Sequence, residues 1–316
     1  MSYEMGQLQG LISSGRVEFD ENSENGLVIN DKYIPEEVLN QILLYTDSKT
    51  LLNCQLVCKR WHSSLQTYVW KKKAEAVIGR LLQFDTQMPW FFYYVICSKK
   101  SMEKNLIKNH SGKDGLKKHW RIRSEGGDLW KIECPPLGAP VMPLSDPVFE
   151  GKQYCFVTSY GSCSKEQTVD LIAEGMLPQI LDNIQPPITI SEWYCCRWDC
   201  PAIYECSAKL IDKDAKVLDT FAFRDSLEEE KQNIWLHVEH EFTNYGPGLR
   251  KVVFYHGGMD RSFWAGHYGS KMAGACVKVN LPKSYKPTKK PSVPLLGQSS
   301  THVLNAESAE SLENDH

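Results

Sequence analysis

The sequence predicts an α+β, multidomain chain in which a small all-helical module precedes a large antiparallel β-sandwich of jelly-roll type. Two patterns carry that reading. Over residues 31–78 apolar side chains recur at helical spacing. From about Lys117 to Leu281 they fall instead in short, mostly alternating runs rich in β-branched and aromatic residues. Turn clusters separate those runs at Gly126-Gly127-Asp128, Pro186-Pro187, Gly246-Pro247-Gly248 and Gly257-Gly258.

Taken in order, residues 1–30 are acidic and rich in Glu, Asn and Ser, and read as a flexible lead-in without the basic start and apolar core of a secretory signal. Pro35 suits the first turn of a helix, along which Val38/Ile42 and Leu39/Leu43 form i,i+4 pairs. Asp47 and Ser48 offer capping oxygens to a second helix carrying Leu51, Leu52 and Leu56. Trp61 and Leu65 continue into a third, and Trp70 opens another with Ala74, Val77, Ile78 and Leu81. Lys71-Lys72-Lys73 reads as a solvated helix face. Pro89 breaks the pattern, so residues 79–104 form a linker in which Trp90 to Ile96 packs against the β block.

In the β block, residues 105–282, the strand candidates are Tyr154–Thr158, Ala202–Leu210, Trp235–Phe242 and Lys251–Tyr255, with one helix at Val169–Leu181. The tail, 283–316, interleaves Lys283, Lys286, Lys289 and Lys290 with prolines before a Ser/Glu-rich stretch. It reads as a disordered, solvated segment.

Composition excludes several functions. A net charge of −3 offers no nucleic-acid footprint. The longest apolar run, Trp90 to Cys97, falls far short of the ~18 residues that span a bilayer. With no export signal the eleven cysteines are expected in a reducing, cytoplasmic compartment as thiols. Asn109-His110-Ser111 is then an accidental glycosylation match. Cys195, Cys196, Cys200 and Cys206 lack the paired spacing of a closed zinc site and read as apolar filler, so no metal or cofactor is expected. His237, Glu239 and Glu241 share the water-facing side of one strand. Cys58, beside Lys59, reads as a core position. No P-loop, dinucleotide fingerprint or nucleophile elbow is present.

Two features point to function. The helical module, about 40 residues long, is too small to bury its own apolar positions, as a surface completed by a partner would be. In the β block, the loop from Gly257 to Gly274 holds Phe263, Trp264, His267 and Tyr268 between glycines. Aromatic faces of this kind cover the C–H patch of a pyranose while neighbouring polar groups take its hydroxyls.

The run Ile34-Pro35-Glu36-Glu37-Val38-Leu39, Leu51-Leu52, Val57-Cys58-Lys59-Arg60-Trp61 and Trp70 resembles the F-box, with which substrate receptors dock the Skp adaptor of cullin–RING ubiquitin ligases. Six further stretches resemble the F-box-associated (FBA) domain of the sugar-recognising F-box family. They are Lys104–Asn109, Val169–Gly175, Ile190–Tyr194, Thr243–Gly248, His256–Asp260 and Phe263–Gly269.

The resemblance implies a ten-stranded, galactose-binding-like sandwich and a non-catalytic receptor of an SCF (Skp–cullin–F-box) ligase. Such a receptor binds the chitobiose core of N-glycans on misfolded glycoproteins for ubiquitination and ER-associated degradation, in the cytoplasm or at the cytosolic face of the endoplasmic reticulum. It also implies adaptor contacts from Ile34, Pro35, Val38, Leu39, Ile42, Leu51, Leu52, Val57 and Trp61, divided between a small core and the partner's groove. Glycan contacts would come from Tyr160, Asp199, Phe263 and Trp264. The chain departs from the family's pattern at Phe263, where Tyr is usual, and at Ala265, where the strongest binder has Lys; each removes a hydrogen-bonding group worth ~0.5–1.5 kcal/mol. The alternatives are the same receptor reading a protein degron, or a carbohydrate-active enzyme using Asp199 and Asp260 as a carboxylate pair.

Overall fold

A computed structural model describes residues 26–283 apart from 31, 86 and 100. The expected lead-in and tail lie almost wholly outside the described residues.

After a small hairpin (β1 Val28–Ile29, β2 Lys32–Tyr33) come α1 Glu36–Tyr45, α2 Ser48–Cys54, α3 Lys59–Ser64, a π-helical turn Leu65–Val69, and α4 Trp70–Ile78. Asp47 caps α2 by accepting from the Lys49 and Thr50 amides, both at 3.0 Å. Gly79, left-handed at φ 77°, ends α4. Leu81 therefore lies beyond the helix expected to carry it, and is exposed. Lys73 is an anchor rather than a solvated residue. Its Nζ donates to the carbonyls of Leu44 (2.6 Å) and Thr46 (2.8 Å), placing positive charge where the dipole of α1 is negative.

The linker expectation is corrected. Trp90–Lys99 is a helix, α5, and it packs back on the helical module, with Trp90 6.2 Å and Tyr94 5.3 Å from the Trp70 ring. Its apolar residues cover most of its circumference, so periodicity could not reveal it. The chain then runs beside the last strand of the β block, where Leu106 N donates to Val277 O at 2.8 Å.

The β block folds into two five-stranded antiparallel sheets. Their strands are β3 Arg121–Glu125, β4 Lys131–Glu133, β5 Cys155–Val157, β6 Cys163–Asp170, β7 Ile188–Cys195, β8 Ala202–Asp212, β9 Val217–Leu227, β10 Leu236–Phe242, β11 Leu249–Asp260 and β12 Lys271–Val279. One sheet runs β10-β7-β12-β5-β4 and the other β3-β6-β11-β8-β9. These ten strands match the sandwich that the family resemblance implies. His237, Glu239 and Glu241 are exposed on β10, as alternation requires.

Two local readings fail for identifiable reasons. Val169 and Asp170 end β6, and the helix, α6, spans only Pro178–Asn183. The Asp170 carboxylate accepts from the Ile172 and Ala173 amides and turns the chain, while Pro178 starts the helix. Gly257-Gly258 is no turn, since both residues lie inside β11. A Cβ on Gly258 would stand 2.2 Å from Ile203 O, and one on Gly257 2.5 Å from Cys163 O. Glycine marks close backbone approach here, and the aromatic loop shrinks to 261–270.

The core between the sheets is apolar around Phe156, Ile190, Leu210, Val252, Phe254 and Val277, all fully buried. It also encloses a polar group. Glu192 accepts from Tyr204 Oη and pairs with His256 Nδ1, both at 2.6 Å, and His256 stacks on Trp120 at 4.5 Å. Burial holds the imidazole pKa below its ordinary 6.5 against the attraction of Glu192. The sequon residue Asn109 is structural, donating to Gly115 O at 2.7 Å and accepting from Asp114 N at 2.9 Å.

Candidate functional site

Burial sorts the nine docking candidates. Leu39, Leu51 and Leu52 lie in the helical core, at 1%, 0% and 0% exposure, while Ile34 and Trp61 are partly buried. Those three leucines therefore belong to the packed interior rather than to an exposed surface. Val38 and Ile42 are about half exposed on α1, Val57 is exposed beyond α2, and Pro35 is exposed at the start of α1. Tyr45, 89% exposed, and Leu56 extend this surface; an outward apolar residue looks the same in sequence as an inward one. Trp61 is tethered through Nε1 to Gly26 O at 2.6 Å.

The four glycan candidates come from loops that the sandwich gathers at one end. The 261–270 loop is moulded from beneath by Asp260, 1% exposed, whose Oδ1 accepts from the Ser262 (2.9 Å) and Phe263 (2.7 Å) amides. Those bonds hold Phe263 at φ 54°, a left-handed conformation that costs an L-residue roughly 1–2 kcal/mol. Phe263 is left 76% exposed and Trp264 45% exposed. Ser159 Oγ donates to Gly266 O at 2.7 Å, tying this loop to the segment carrying Tyr160. The Asp128 carboxylate accepts from Gly266 N at 2.5 Å, and its carbonyl bonds His267 Nε2 at 3.0 Å. Tyr160 is half-buried beside Gly127, where a Cβ would stand 3.1 Å from its ring.

Asp199 occupies a tight turn closed by the Arg197–Cys200 bridge. Arg197 grips its carboxylate with both arms, Nε to Oδ1 and Nη2 to Oδ2, each at 2.8 Å. That hydrogen bonding holds the Asp199 carboxyl below its ordinary 3.8. The guanidinium carbon stands 4.5 Å from the centroid of Tyr268, whose ring meets Trp264 edge-on at 5.5 Å and 87°. A carboxylate with lone pairs remaining and an exposed indole thus belong to one braced series. Sequence reasoning missed the bracing by Arg197, Asp128 and Ser159, because nothing along the chain says which loops share an end. Asp260 serves the backbone of its own loop through Oδ1.

The cysteines fill space. Cys195, Cys196, Cys200 and Cys206 are buried, and burial pushes the thiol of Cys206 up to about 12 and that of Cys196 to about 11. Among the described residues no helix is long and apolar enough to cross a membrane.

Residues 97–279 match the F-box associated region, and residues 32–75 match the F-box-like family. F-box only protein 6 of Rattus norvegicus is 34% identical over 275 residues, covering 84% of this chain and 93% of its own length. F-box only protein 44 of Homo sapiens is 32% identical over 259 residues (80% and 98%), and F-box only protein 2 of Bos taurus 30% over 252 (78% and 82%). Among solved structures, a carbohydrate-binding module in complex with β-1,4-galactotriose aligns at a TM-score of 0.33 and 11% identity, covering 56% of this chain and 99% of that one; likeness at that level carries nothing about the site. A helical module matched as F-box-like, followed by a ten-stranded sandwich matched as the F-box associated region, makes this chain a member of the F-box proteins that carry that region.

Proposed function

We propose that the chain is the substrate-recognition subunit of an SCF ubiquitin ligase. Its helical module docks the Skp adaptor through Pro35, Val38, Ile42 and Val57, with Ile34 and Trp61 at the margin and Leu39, Leu51 and Leu52 holding the shape. The sandwich binds the chitobiose core of N-glycans on misfolded glycoproteins, delivering them for ubiquitination and ER-associated degradation from the cytosolic side. Ubiquitin transfer belongs to the assembled ligase, so the chain itself acts by binding.

The observation that supports the sugar arm most is the braced series Asp199–Arg197–Tyr268–Trp264 beside the exposed Phe263. In this reading the indole face of Trp264 stacks on a sugar ring while the free lone pairs of Asp199 accept from its hydroxyls, with Phe263 and Tyr160 flanking. Titrating the purified protein with chitobiose while following the Trp264 indole resonance tests this. Saturable shifts of that resonance and of the amides of the 261–270 loop are expected, with the amide shifts lost in Trp264→Ala, and a wild-type protein blind to chitobiose and to N-glycan arrays rejects the sugar arm.

A second reading keeps the F-box arm and replaces the glycan by a protein degron. It is favoured by the missing donor at Ala265 and by the two Asp199 lone pairs already engaged by Arg197. It predicts captured substrates that survive deglycosylation unchanged.

A further inference from the structure

Trp198 is 65% exposed, more than Trp264, yet its backbone is held by neighbouring hydrogen bonds. It is the first residue inside the turn closed by the Arg197–Cys200 bridge. Its amide donates to Gly138 O at 3.0 Å, the neighbouring guanidinium is held by Asp199, and the Arg197 carbonyl accepts from Gln232 Nε2 at 3.5 Å. Gly138 is left-handed, at φ 65°, and packs so closely that a Cβ there would stand 2.7 Å from the Arg197 guanidinium carbon. The largest apolar side chain is thus presented to water from a pinned turn, with Leu137 (52% exposed) beside the pinning contact. An indole on such a support loses little conformational entropy on binding. It also sits between Arg197 and Asp199, the two members of the series farthest along it from Trp264.

We infer that Trp198 is a second stacking platform of the proposed sugar site. The ligand class is therefore an oligosaccharide longer than a disaccharide, lying across Asp199 with one ring on Trp264 and an outer ring on Trp198. This rests on the sugar-binding reading above and extends it to ligand length. Trp264 meets the Tyr268 ring, and Tyr268 in turn meets the guanidinium of Arg197, the residue before Trp198. A short ligand on Trp264 leaves Trp198 in water, and a branched core pentasaccharide reaches both.

The test compares wild type, Trp198→Ala, Trp198→Phe and Trp264→Ala of the full chain by calorimetric titration with chitobiose and with the N-glycan core pentasaccharide. Melting curves establish that each variant is folded. Trp198→Ala is expected to weaken the pentasaccharide at least fivefold and leave chitobiose unchanged, Trp198→Phe to recover most of that loss, and Trp264→Ala to remove both ligands. Equal pentasaccharide affinity in Trp198→Ala and wild type overturns the second platform while leaving the first intact. A wild-type protein that binds neither ligand overturns the sugar reading itself, and the inference with it.

Discussion

Replacing Lys165 by methionine is expected to stabilise the sandwich, although it removes a charge-bearing side chain enclosed by aromatic rings. Lys165 lies on β6, fully buried, and its Nζ has no hydrogen-bond partner among the described residues. That nitrogen stands 2.7 Å from the Phe156 ring centroid, 4.4 Å from that of Trp130 and 5.0 Å from that of Trp120. The rings would favour an ammonium by ~2 kcal/mol once desolvated, and Glu192 and Cys163 pull the same way. Stripping water from an ammonium costs several kcal/mol, and the buried Glu192 is already bonded by Tyr204 and His256. Desolvation is the larger effect and holds the Lys165 pKa well below its ordinary 10.5.

Between the depressed folded pKa and the ordinary lysine range, the unfolded chain holds a proton that the folded chain has released. Stability therefore rises with pH across that window, by up to ~1.4 kcal/mol per pH unit. An amine buried without a hydrogen bond costs a further ~1–3 kcal/mol. Methionine keeps the unbranched side chain as far as Cε, lacks the amine, and so removes both penalties. Lys165→Met should gain about 2 kcal/mol or more near neutral pH, with the advantage shrinking as the pH approaches the lysine range. Urea unfolding of both proteins near neutral pH and in that alkaline range measures this. A variant less stable than wild type near neutral pH, or a gain that does not change with pH, refutes the reasoning.

Three further outcomes are expected. Val38→Asp with Ile42→Asp should weaken adaptor binding ~100-fold or more, because two apolar side chains no longer bury against the partner, while the helical module melts normally. Leu52→Ala should instead lower the stability of that module by ~2–5 kcal/mol through a core cavity; equal melting of Leu52→Ala and wild type would contradict its burial. Because Arg197 depresses the Asp199 pKa, the stability that the pair contributes is present above the ordinary 3.8 and lost as pH falls through the folded value. Arg197→Gln should accordingly move the acid limb of the chitobiose-binding profile to higher pH, and an unmoved limb would detach Asp199 from the site.

The sequence by itself determined the class of each half and the order of the halves, since periodicity follows from which face of an element meets water. It exposed α1, the Asp47 cap of α2, and the alternation of β8 and β10. It also carried the F-box and F-box-associated stretches and hence the family. Where two faces are both buried the pattern is lost. The all-round apolar α5 reads as linker, and the glycines inside β11 read as a turn because their causes are carbonyls on the flanking β6 and β8, far along the chain. Only the tertiary structure decided which apolar residues of the helical module face outward, because Val38 and Leu39 are chemically alike and differ only in what packs against them. Tertiary structure also decided the rim. Asp128, Ser159, Arg197 and the 261–270 loop are distant in sequence, and the closing of two sheets over one core brings them to the same end.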